Sequence, residues 1–352
     1  MSGTGEHLLS IVIPVYRGEA TLRTVVEELA EYAELHITPD GHGYRVHEIL
    51  LVHDGGPDGS PAVMRELAAE HSSVRPIWLS RNYGQHAATL AGMASTGGDW
   101  IVTMDEDGQH DPADIAGMLD TAMRDQAPLV YGKPLNAPSH GFFRNTTSRG
   151  AKRVVRILTG NRFAGDFQSF RFILGSIGRG VAAYAGAGVY LDVALGWVAP
   201  APATSPITLR DEGDRRSGYT TRKLFAHFLR MVLTSGTRGL RFVTWLGLLL
   251  AVGGVLWAIW IIIAQSSGLD SGPPGWASTM VVIICSAGAI LVSLGIIAEY
   301  LGTALDMSLG KPPYLIVSDP ANGPLGRPPY ASRGHAVEDG AGDGSSTEPA
   351  EQ

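Results

Sequence analysis

Cysteine and net positive charge are both scarce in this sequence. Cys285 is the single cysteine among 352 residues, which excludes an intramolecular disulfide and is typical of a reducing compartment. The formal net charge is −7, with 27 Lys and Arg against 34 Asp and Glu, and this balance argues against nucleic acid as the main partner. The segment MSGTGEHLLSIVIPVY lacks the basic start and the small-residue cleavage site of a secretory signal. We therefore expect Ser10–Val15 to form the first strand of a folded domain.

Charge is missing altogether from two long apolar stretches. Phe242–Ala264 and Trp276–Ala298 each contain 23 residues without a charged side chain. As a helix, each would be about 34 Å long, enough to cross a hydrocarbon core of about 30 Å. A buried hairpin of two core helices is the alternative, although soluble helices are seldom apolar on every face over this length. We predict two transmembrane helices within residues 240–309.

Lys and Arg are also absent from the loop that connects these stretches, Gln265–Gly275. Basic residues lie on the other side, where Lys311 follows the second stretch and five precede the first: Arg222, Lys223, Arg230, Arg238 and Arg241. By the positive-inside rule, this asymmetry predicts a multi-pass plasma-membrane protein with a short external loop. The large N-terminal domain and both termini would be cytoplasmic.

The segments on either side of the stretches have contrasting compositions. Residues 219–239 carry a basic amphipathic pattern, in which six apolar side chains share one helical face: Leu224, Phe225, Phe228, Leu229, Val232 and Leu233. This pattern favours a helix lying on an anionic membrane surface, with a helix packed on the domain as the alternative. Residues 310–352 are rich in Pro, Gly, Ser and acids towards their end and are predicted to be a mostly disordered cytosolic tail.

Strand-like and helix-like patterns alternate through the first part of residues 1–218. The predicted strands are Leu9–Tyr16, His47–His53, Arg75–Leu79 and Trp100–Met104, and the predicted helices are Ala20–Leu35, Pro61–Glu70, His86–Ala94 and Pro112–Met123. This alternation predicts an α/β fold, with a mostly parallel sheet and helices on both faces. Ligands of such sheets bind beyond the carboxyl ends of the strands, so the polar residues there are the candidates for a site.

One of these strands ends in a run of carboxylates, in the segment DWIVTMDEDGQHDP (99–112). In an extended strand Asp105 and Asp107 would point the same way and Glu106 the opposite way. Neighbouring carboxylates repel unless a cation lies between them, and hard oxygen ligands suit Mg²⁺ or Mn²⁺. An acidic cluster at a helix N-terminus is the alternative, and it accounts for Asp111 better than for the earlier pair. We expect His86 and His110 to be ordinary helix-face or loop residues.

Five segments together resemble a known family: SIVIPVYRGE (10–19), LLVHDGGPDGS (50–60), LSRNYGQHAATLAGMASTGGD (79–99), MDEDGQHDP (104–112) and LGIIAEYLGTALDMSLGKPPYLI (294–316). The chain is similar to family 2 glycosyltransferases of the GT-A fold. It most resembles the membrane-anchored branch that glycosylates polyprenyl phosphate, which includes dolichol-phosphate mannose synthase and undecaprenyl-phosphate aminoarabinose transferase. The implied fold is a GT-A Rossmann-like, mostly parallel sheet domain followed by two transmembrane helices, with possible homo-oligomers formed through those helices.

The resemblance implies roles for individual residues. Asp105 and Asp107 would hold Mg²⁺ or Mn²⁺ and the donor diphosphate, and Asp166 would act as a base or position the acceptor. The implied substrate-binding residues are Pro14, Tyr16, Asp54 (on the nucleobase), Arg81, Asn82, Gln109 and, in a basic patch before the membrane, Arg215 and Arg216. His53 stands where the family usually has another acid.

The implied reaction is inverting transfer of a sugar from a UDP- or GDP-sugar to undecaprenyl or decaprenyl phosphate at the cytoplasmic membrane face. A phosphate monoester is mostly dianionic at neutral pH, so the acceptor scarcely needs a general base. The run Lys133–Gly165 contains seven Lys and Arg and no acid. We expect Arg144 and Arg149 in this run to clamp the lipid phosphate, with a solvated basic helix face as the alternative.

Two other functions stay open at this point. A catalytically silent nucleotide-sugar-binding scaffold in the membrane would explain His53, although the retained Asp54, Asp105 and Asp107 argue against it. A processive polysaccharide synthase of the same fold would need more spans and a Gln-x-x-Arg-Trp motif, which the sequence lacks.

Overall fold

The computed structural model describes residues 5–136, 168–186, 189–199, 201–210 and 275–324, with single positions between 247 and 263. Residues up to Val317 form one compact unit, and the chain from Ser318 onward is a second unit. In that second unit, the Asp319 carboxylate accepts hydrogen bonds from the N–H of Ala321 and the side-chain amide of Asn322. The predicted domain boundaries at 218, 239 and 309 stay predictions.

Within the described part of the chain, a sheet of nine strands forms the centre of the first unit. The strands are β1 (Glu6–Val15), β2 (His36–Ile37), β3 (Gly43–His53), β4 (Val74–Leu79), β5 (Trp100–Thr103), β6 (Leu129–Pro134), β7 (Arg171–Leu174), β8 (Ala203–Ile207) and β9 (Ile316–Val317). Their order is β8-β6-β7-β5-β1-β3-β4-β9, and β2 pairs with β3. The α/β fold and the four strands predicted from the sequence are confirmed.

The prediction of a mostly parallel sheet was wrong where β2, β7 and β9 pair with their neighbours. The central strands β5, β1, β3 and β4 are parallel, as their continuous apolar sequences indicated. Strand β7, however, runs antiparallel to both β5 and β6, and β9 runs antiparallel to β4. Within the region of strand and helix alternation, the two-residue β2 also runs antiparallel to β3. The sheet is therefore mixed.

Helices cover both faces of the sheet. They are α1 (Leu22–Ala30), α2 (Ser60–Glu70), α3 (Gln85–Ala94), α4 (Asp114–Asp125), α5 (Gly175–Tyr184) and α6 (Leu191–Val198), with a short 3₁₀ turn at Glu31–Ala33. A further helix, α7 (Trp276–Ser308), comes later in the chain. The prediction that α4 begins at Pro112 was wrong by two residues. Asp111 accepts a hydrogen bond from the Ala113 N–H at 2.9 Å, which holds Pro112 in a turn before the helix.

Two apolar clusters lie on opposite faces of the sheet. Strand residues alternate between them, so Ile49 and Leu51 face α1 and α2 while Leu50 and Val52 face α3. All four side chains are fully buried. Each such side chain contributes about 1.5–3 kcal/mol relative to an exposed one, so the central strands are firmly fixed and their carboxyl ends are rigid supports for a site.

Helix α7 leads directly back to the sheet. It contains 33 residues, and after it the carbonyl of Leu315 accepts a hydrogen bond from the Ser80 N–H at 3.0 Å, just before β9 pairs with β4. Among the described residues, which leave out several side chains of α7, no helix combines the length and hydropathy needed to cross a membrane. The two transmembrane helices predicted within residues 240–309 stay a prediction.

Candidate active site

The ends of β1, β3, β4 and β5 meet at one edge of the sheet, as predicted. The loops after β1 and β3 are in close contact there, because the Asp54 N–H donates to the Val15 carbonyl at 2.8 Å. Gly56 lies directly against the backbone of Tyr16, and a Cβ atom at this position would overlap the Tyr16 carbonyl oxygen. Tyr16 itself is 40% exposed at the rim. This edge is the candidate active site.

Asp54 joins the loop after β3 to the loop after β4. Its carboxylate accepts hydrogen bonds from the N–H groups of Tyr83 and Gly84, at 2.7 and 2.8 Å, and the side chain is buried. Burial raises the pKa of the Asp54 carboxyl, while the two N–H donors and Arg81 act in the opposite direction. The charge of Asp54 therefore fixes the shape of this loop, and its predicted contact with a nucleobase stays a prediction.

The acidic residues after β5 lie in a turn and not in a strand. This turn, residues 105–110, is called the acidic turn below. The strand ends at Thr103, so strand alternation is not what directs Asp105, Glu106 and Asp107, contrary to the sequence argument. Gly108, with φ of +76°, allows the chain to turn back towards the sheet. The three carboxylates are still divided between two directions, which their hydrogen bonds establish.

Asp105 and Asp107 are held by neighbouring polar groups. The two oxygens of Asp105 accept hydrogen bonds from Gln85 Nε2 at 2.6 Å and from Ser169 Oγ at 2.5 Å. The two oxygens of Asp107 accept from the backbone N–H and the side-chain amide of Gln109, at 3.1 and 3.0 Å. Gln109 thus lies at the acidic turn, as the resemblance implied, while Gln85 and Ser169 were missed.

Glu106 faces the opposite way and fastens the loop after β1. Its carboxylate accepts hydrogen bonds from the N–H groups of Tyr16 and Arg17, at 2.8 and 2.9 Å. The Glu106 carbonyl also accepts one from the Thr21 hydroxyl at 2.6 Å. Glu106 therefore joins two strand ends of the candidate site. The sequence signal for this role was the position of Glu106 between two aspartates, and no role was predicted for it.

His110 is a structural residue of the acidic turn. It is buried, its ring stacks on Phe170 at 4.7 Å, and its Nδ1 accepts a hydrogen bond from the Asp105 N–H at 3.2 Å. Burial lowers the pKa of His110, against the opposing effect of Asp105 and Asp107. The ring is therefore neutral at pH 7. His110 is a loop histidine, as expected from the sequence, and it supports the turn through the hydrogen bond that it accepts from the Asp105 N–H.

The acidic turn offers a metal a small set of oxygen ligands. Among the described residues, no group of three or more His, Cys, Asp or Glu side chains is arranged to hold a metal ion. Asp105 and Asp107 are two residues apart in this turn, which is held by the hydrogen bond from the Asp105 N–H to His110 and by the one from the Gln109 N–H to Asp107. One or two carboxylates completed by substrate phosphates and water are what Mg²⁺ commonly takes, so this pair fits such an ion.

The other predicted site residues fall into two groups. Pro14 is half-buried in β1 beside Val52, Asn82 is exposed, and Arg81 is exposed and lies over the Tyr83 ring at 4.1 Å. Five residues lie outside the described part of the chain: Arg144, Arg149, Asp166, Arg215 and Arg216. Their predicted roles stay predictions.

His53 makes the stability of this edge dependent on pH. Its Nε2 is buried with no hydrogen-bond partner among the described residues, and burial lowers its pKa below 6.5. A lowered pKa stabilises the folded protein above about pH 6.5, and this stability is lost as pH falls towards the folded value. We expect His53→Phe to reduce the fall in apparent Tm between about pH 7.5 and about pH 5.5, measured by thermal shift. An equal fall in both proteins would contradict this.

The fold and the acidic turn together define an α/β domain that presents polar loops at the carboxyl edge of its sheet. Residues 10–181 match the family model for Glycosyl transferase family 2. This range includes β1 from Ser10 onward, together with β3, β4, β5 and the acidic turn. The chain therefore carries a glycosyl transferase family 2 domain, as the sequence resemblance implied.

Solved structures with a similar fold include two kinds of synthase. One is glucosyl-3-phosphoglycerate synthase from Mycobacterium tuberculosis in complex with Mn²⁺, UDP and glucosyl-3-phosphoglycerate, at 17% identity and a TM-score of 0.47. The match covers 66% of this chain and 80% of that one. The other is mannosyl-3-phosphoglycerate synthase from Rubrobacter xylanophilus, at 16% identity and a TM-score of 0.46, covering 76% and 78%. These likenesses concern the fold.

Proposed function

We propose that this protein transfers a sugar, with inversion, from a UDP- or GDP-sugar to a polyprenyl phosphate at the cytoplasmic face of the plasma membrane. The observation that carries the proposal is the acidic turn at the carboxyl edge of a family 2 domain, in the same compact unit as the 33-residue helix α7. The first feature supports the donor chemistry, and the second supports the lipid acceptor.

The donor would lie across the loops at the carboxyl edge of the sheet. Asp105 and Asp107 would hold Mg²⁺ or Mn²⁺, which would stabilise the departing nucleotide diphosphate as a Lewis acid. Asp54 keeps the loop at Arg81 and Asn82 in place for the nucleotide, through its bonds to Tyr83 and Gly84. Glu106 fixes the loop that carries Tyr16, on the other side of the same cleft.

The exposed apolar side chains of α7 support a lipid acceptor. Large residues along the helix are 47–67% exposed: Val282, Ile283, Ile290, Leu294, Ile297, Leu301 and Leu305. The sequence places no charge in Trp276–Ala298, so this surface fits hydrocarbon better than water. Near the other end of the helix, Met307 lies against Gly186, which belongs to the catalytic unit. The helix would thus hold the domain beside the bilayer.

A transfer assay separates this function from its alternatives. Purified full-length protein in nanodiscs would be supplied with radiolabelled UDP- and GDP-sugars, Mn²⁺ and either undecaprenyl phosphate or 3-phosphoglycerate. We expect label to pass to the lipid phosphate. Transfer to 3-phosphoglycerate alone would identify a soluble acceptor, and formation of a sugar polymer would identify a synthase. Folded protein that binds a donor and transfers nothing would be the silent scaffold.

A further inference from the structure

A buried ion pair lies behind the acidic turn. Arg171, the first residue of β7, forms a two-pronged pair with Asp192 of α6, with Nε and Nη2 at 2.7 and 2.8 Å from the two carboxylate oxygens. Both side chains are at most 6% exposed, and the Tyr131 hydroxyl donates to the same carboxylate at 2.9 Å. Burial works against the charge of Arg171, but Asp192 outweighs it and raises the arginine pKa.

A buried ion pair of this kind adds little to the free energy of unfolding. Removing two charges from water costs several kcal/mol per ion, and buried pairs can often be replaced by apolar side chains without loss of stability. We therefore expect the pair of Arg171 and Asp192 to have a role besides stability. The contacts of the remaining guanidinium nitrogen, Nη1, indicate what that role is.

The third guanidinium nitrogen of Arg171, Nη1, contacts two residues next to the acidic turn. Nη1 donates to the Ser169 carbonyl at 3.0 Å and to the Thr103 hydroxyl at 3.3 Å. The Thr103 hydroxyl donates to the same Ser169 carbonyl at 2.6 Å. The backbone of Ser169 is thus fixed from two sides, by the last residue of β5 and by the first residue of β7.

Ser169 carries this constraint to Asp105. Its hydroxyl donates to Asp105 Oδ2 at 2.5 Å, while Gln85 fixes the other oxygen of the same carboxylate. A continuous path of hydrogen bonds therefore leads from Asp192 through Arg171 and Ser169 to Asp105. Each member is a described residue, and the path leads from the buried pair to Ser169 and Asp105, which are half-buried.

We propose that Arg171, held by Asp192, is a positioning residue that acts through Ser169 to set the orientation of the Asp105 carboxylate for a divalent cation. The inference rests on the proposed function, since the cation is the one that would accompany the sugar donor. The role needs arginine in particular. Its planar fork makes two parallel bonds to Asp192 and leaves a third donor in a fixed direction, which the single ammonium of lysine does not reproduce.

Mn²⁺ affinity tests this role directly. Mn²⁺ binding to the purified full-length protein would be titrated by electron paramagnetic resonance, with and without UDP. We expect Arg171→Lys and Ser169→Ala each to weaken Mn²⁺ binding roughly tenfold or more, as is usual when a group that orients a metal ligand is lost. Arg179→Lys is the matched control, since Arg179 of α5 donates to the Gly98 carbonyl at the opposite end of β5. It should bind Mn²⁺ like the wild type.

A third variant keeps the test valid if Arg171→Lys fails to fold. In the triple variant Tyr131→Phe, Arg171→Met, Asp192→Leu, apolar groups replace the whole buried cluster, so no charge is left unpaired. We expect it to retain its thermal stability within a few degrees and still to lose Mn²⁺ affinity roughly tenfold.

The outcomes are distinct. Wild-type Mn²⁺ affinity in a folded Arg171→Lys protein or in the triple variant would overturn the positioning role and leave the proposed function intact. A wild-type protein that binds no Mn²⁺, even with UDP, would contradict the metal site of the proposed function and with it this inference.

Discussion

Asp105→Asn is expected to lower the rate of sugar transfer by about 10²–10³-fold while leaving the protein folded. The change removes a negative charge from the turn where we propose that a metal and the donor diphosphate bind. It keeps the shape of the side chain, so Gln85 and Ser169 retain neighbours of similar size. Initial rates with the donor and acceptor found by the transfer assay would measure the loss, and Mn²⁺ titration would show weaker binding.

Asp99→Asn is the matched control for this experiment. Asp99 lies at the other end of β5, where its carboxylate accepts a hydrogen bond from the Leu8 N–H at 2.9 Å. Its replacement removes one negative charge just before β5, at the end of the strand away from the acidic turn. We expect transfer within about twofold of the wild type. If Asp105→Asn and Asp99→Asn behave alike, the acidic turn is not the reacting centre.

Gly56→Ala should have the second largest effect. The new Cβ would overlap the Tyr16 carbonyl oxygen. Neither atom can rotate away, because the Cβ position is fixed by the backbone of residue 56 and the oxygen belongs to the backbone of Tyr16. The loops after β1 and β3 would have to separate, which would break the contact between the Asp54 N–H and Val15. We expect a loss of about 2–4 kcal/mol in the free energy of unfolding and little or no donor binding, measured by thermal shift with and without UDP.

Gly180→Ala provides the comparison for Gly56→Ala. Gly180 lies inside α5, and a Cβ atom there would meet nothing within 4 Å. Alanine in a helix interior is favoured over glycine by about 0.5–1 kcal/mol, so this variant should be as stable as the wild type or more so. A stable Gly56→Ala protein with normal UDP binding would show that the two loops tolerate separation.

The sequence was most informative where neighbouring residues decide the structure. The runs around Ile11, Leu50 and Val102 are apolar over several consecutive positions, because these strands are buried on both faces by helices. Parallel strands of this kind end at one edge, so the region of the site followed from the pattern of strands and helices. Four of the five family-like segments lie on the central strands, on the loops after them and on α3, and the fifth lies on α7 and the residues that follow it. Such local segments are why the family was recognisable.

The antiparallel strands β7 and β9 and the hydrogen bonds within the site were not predictable in this way. Strand β7 is four residues long, and what fixes it is pairing with β5, some 70 positions earlier in the chain. The sequence around Arg171 and around Asp192 does not predict a buried ion pair, because charged residues of either type usually lie on the protein surface. Glu106 likewise has a clear role only when the loop after β1 lies beside it.

Because the short strand β9 comes after α7 in the chain, the sheet can be completed only late in translation. Ile316 and Val317 complete the outer edge of the sheet next to β4, and the backbone of Ser80 at that edge bonds to Leu315. These residues leave the ribosome only after the whole of α7 has been made. The loop at Ser80 therefore acquires this backbone partner late in translation, and a nascent chain stalled within α7 would leave the edge of β4 unpaired beside the candidate site.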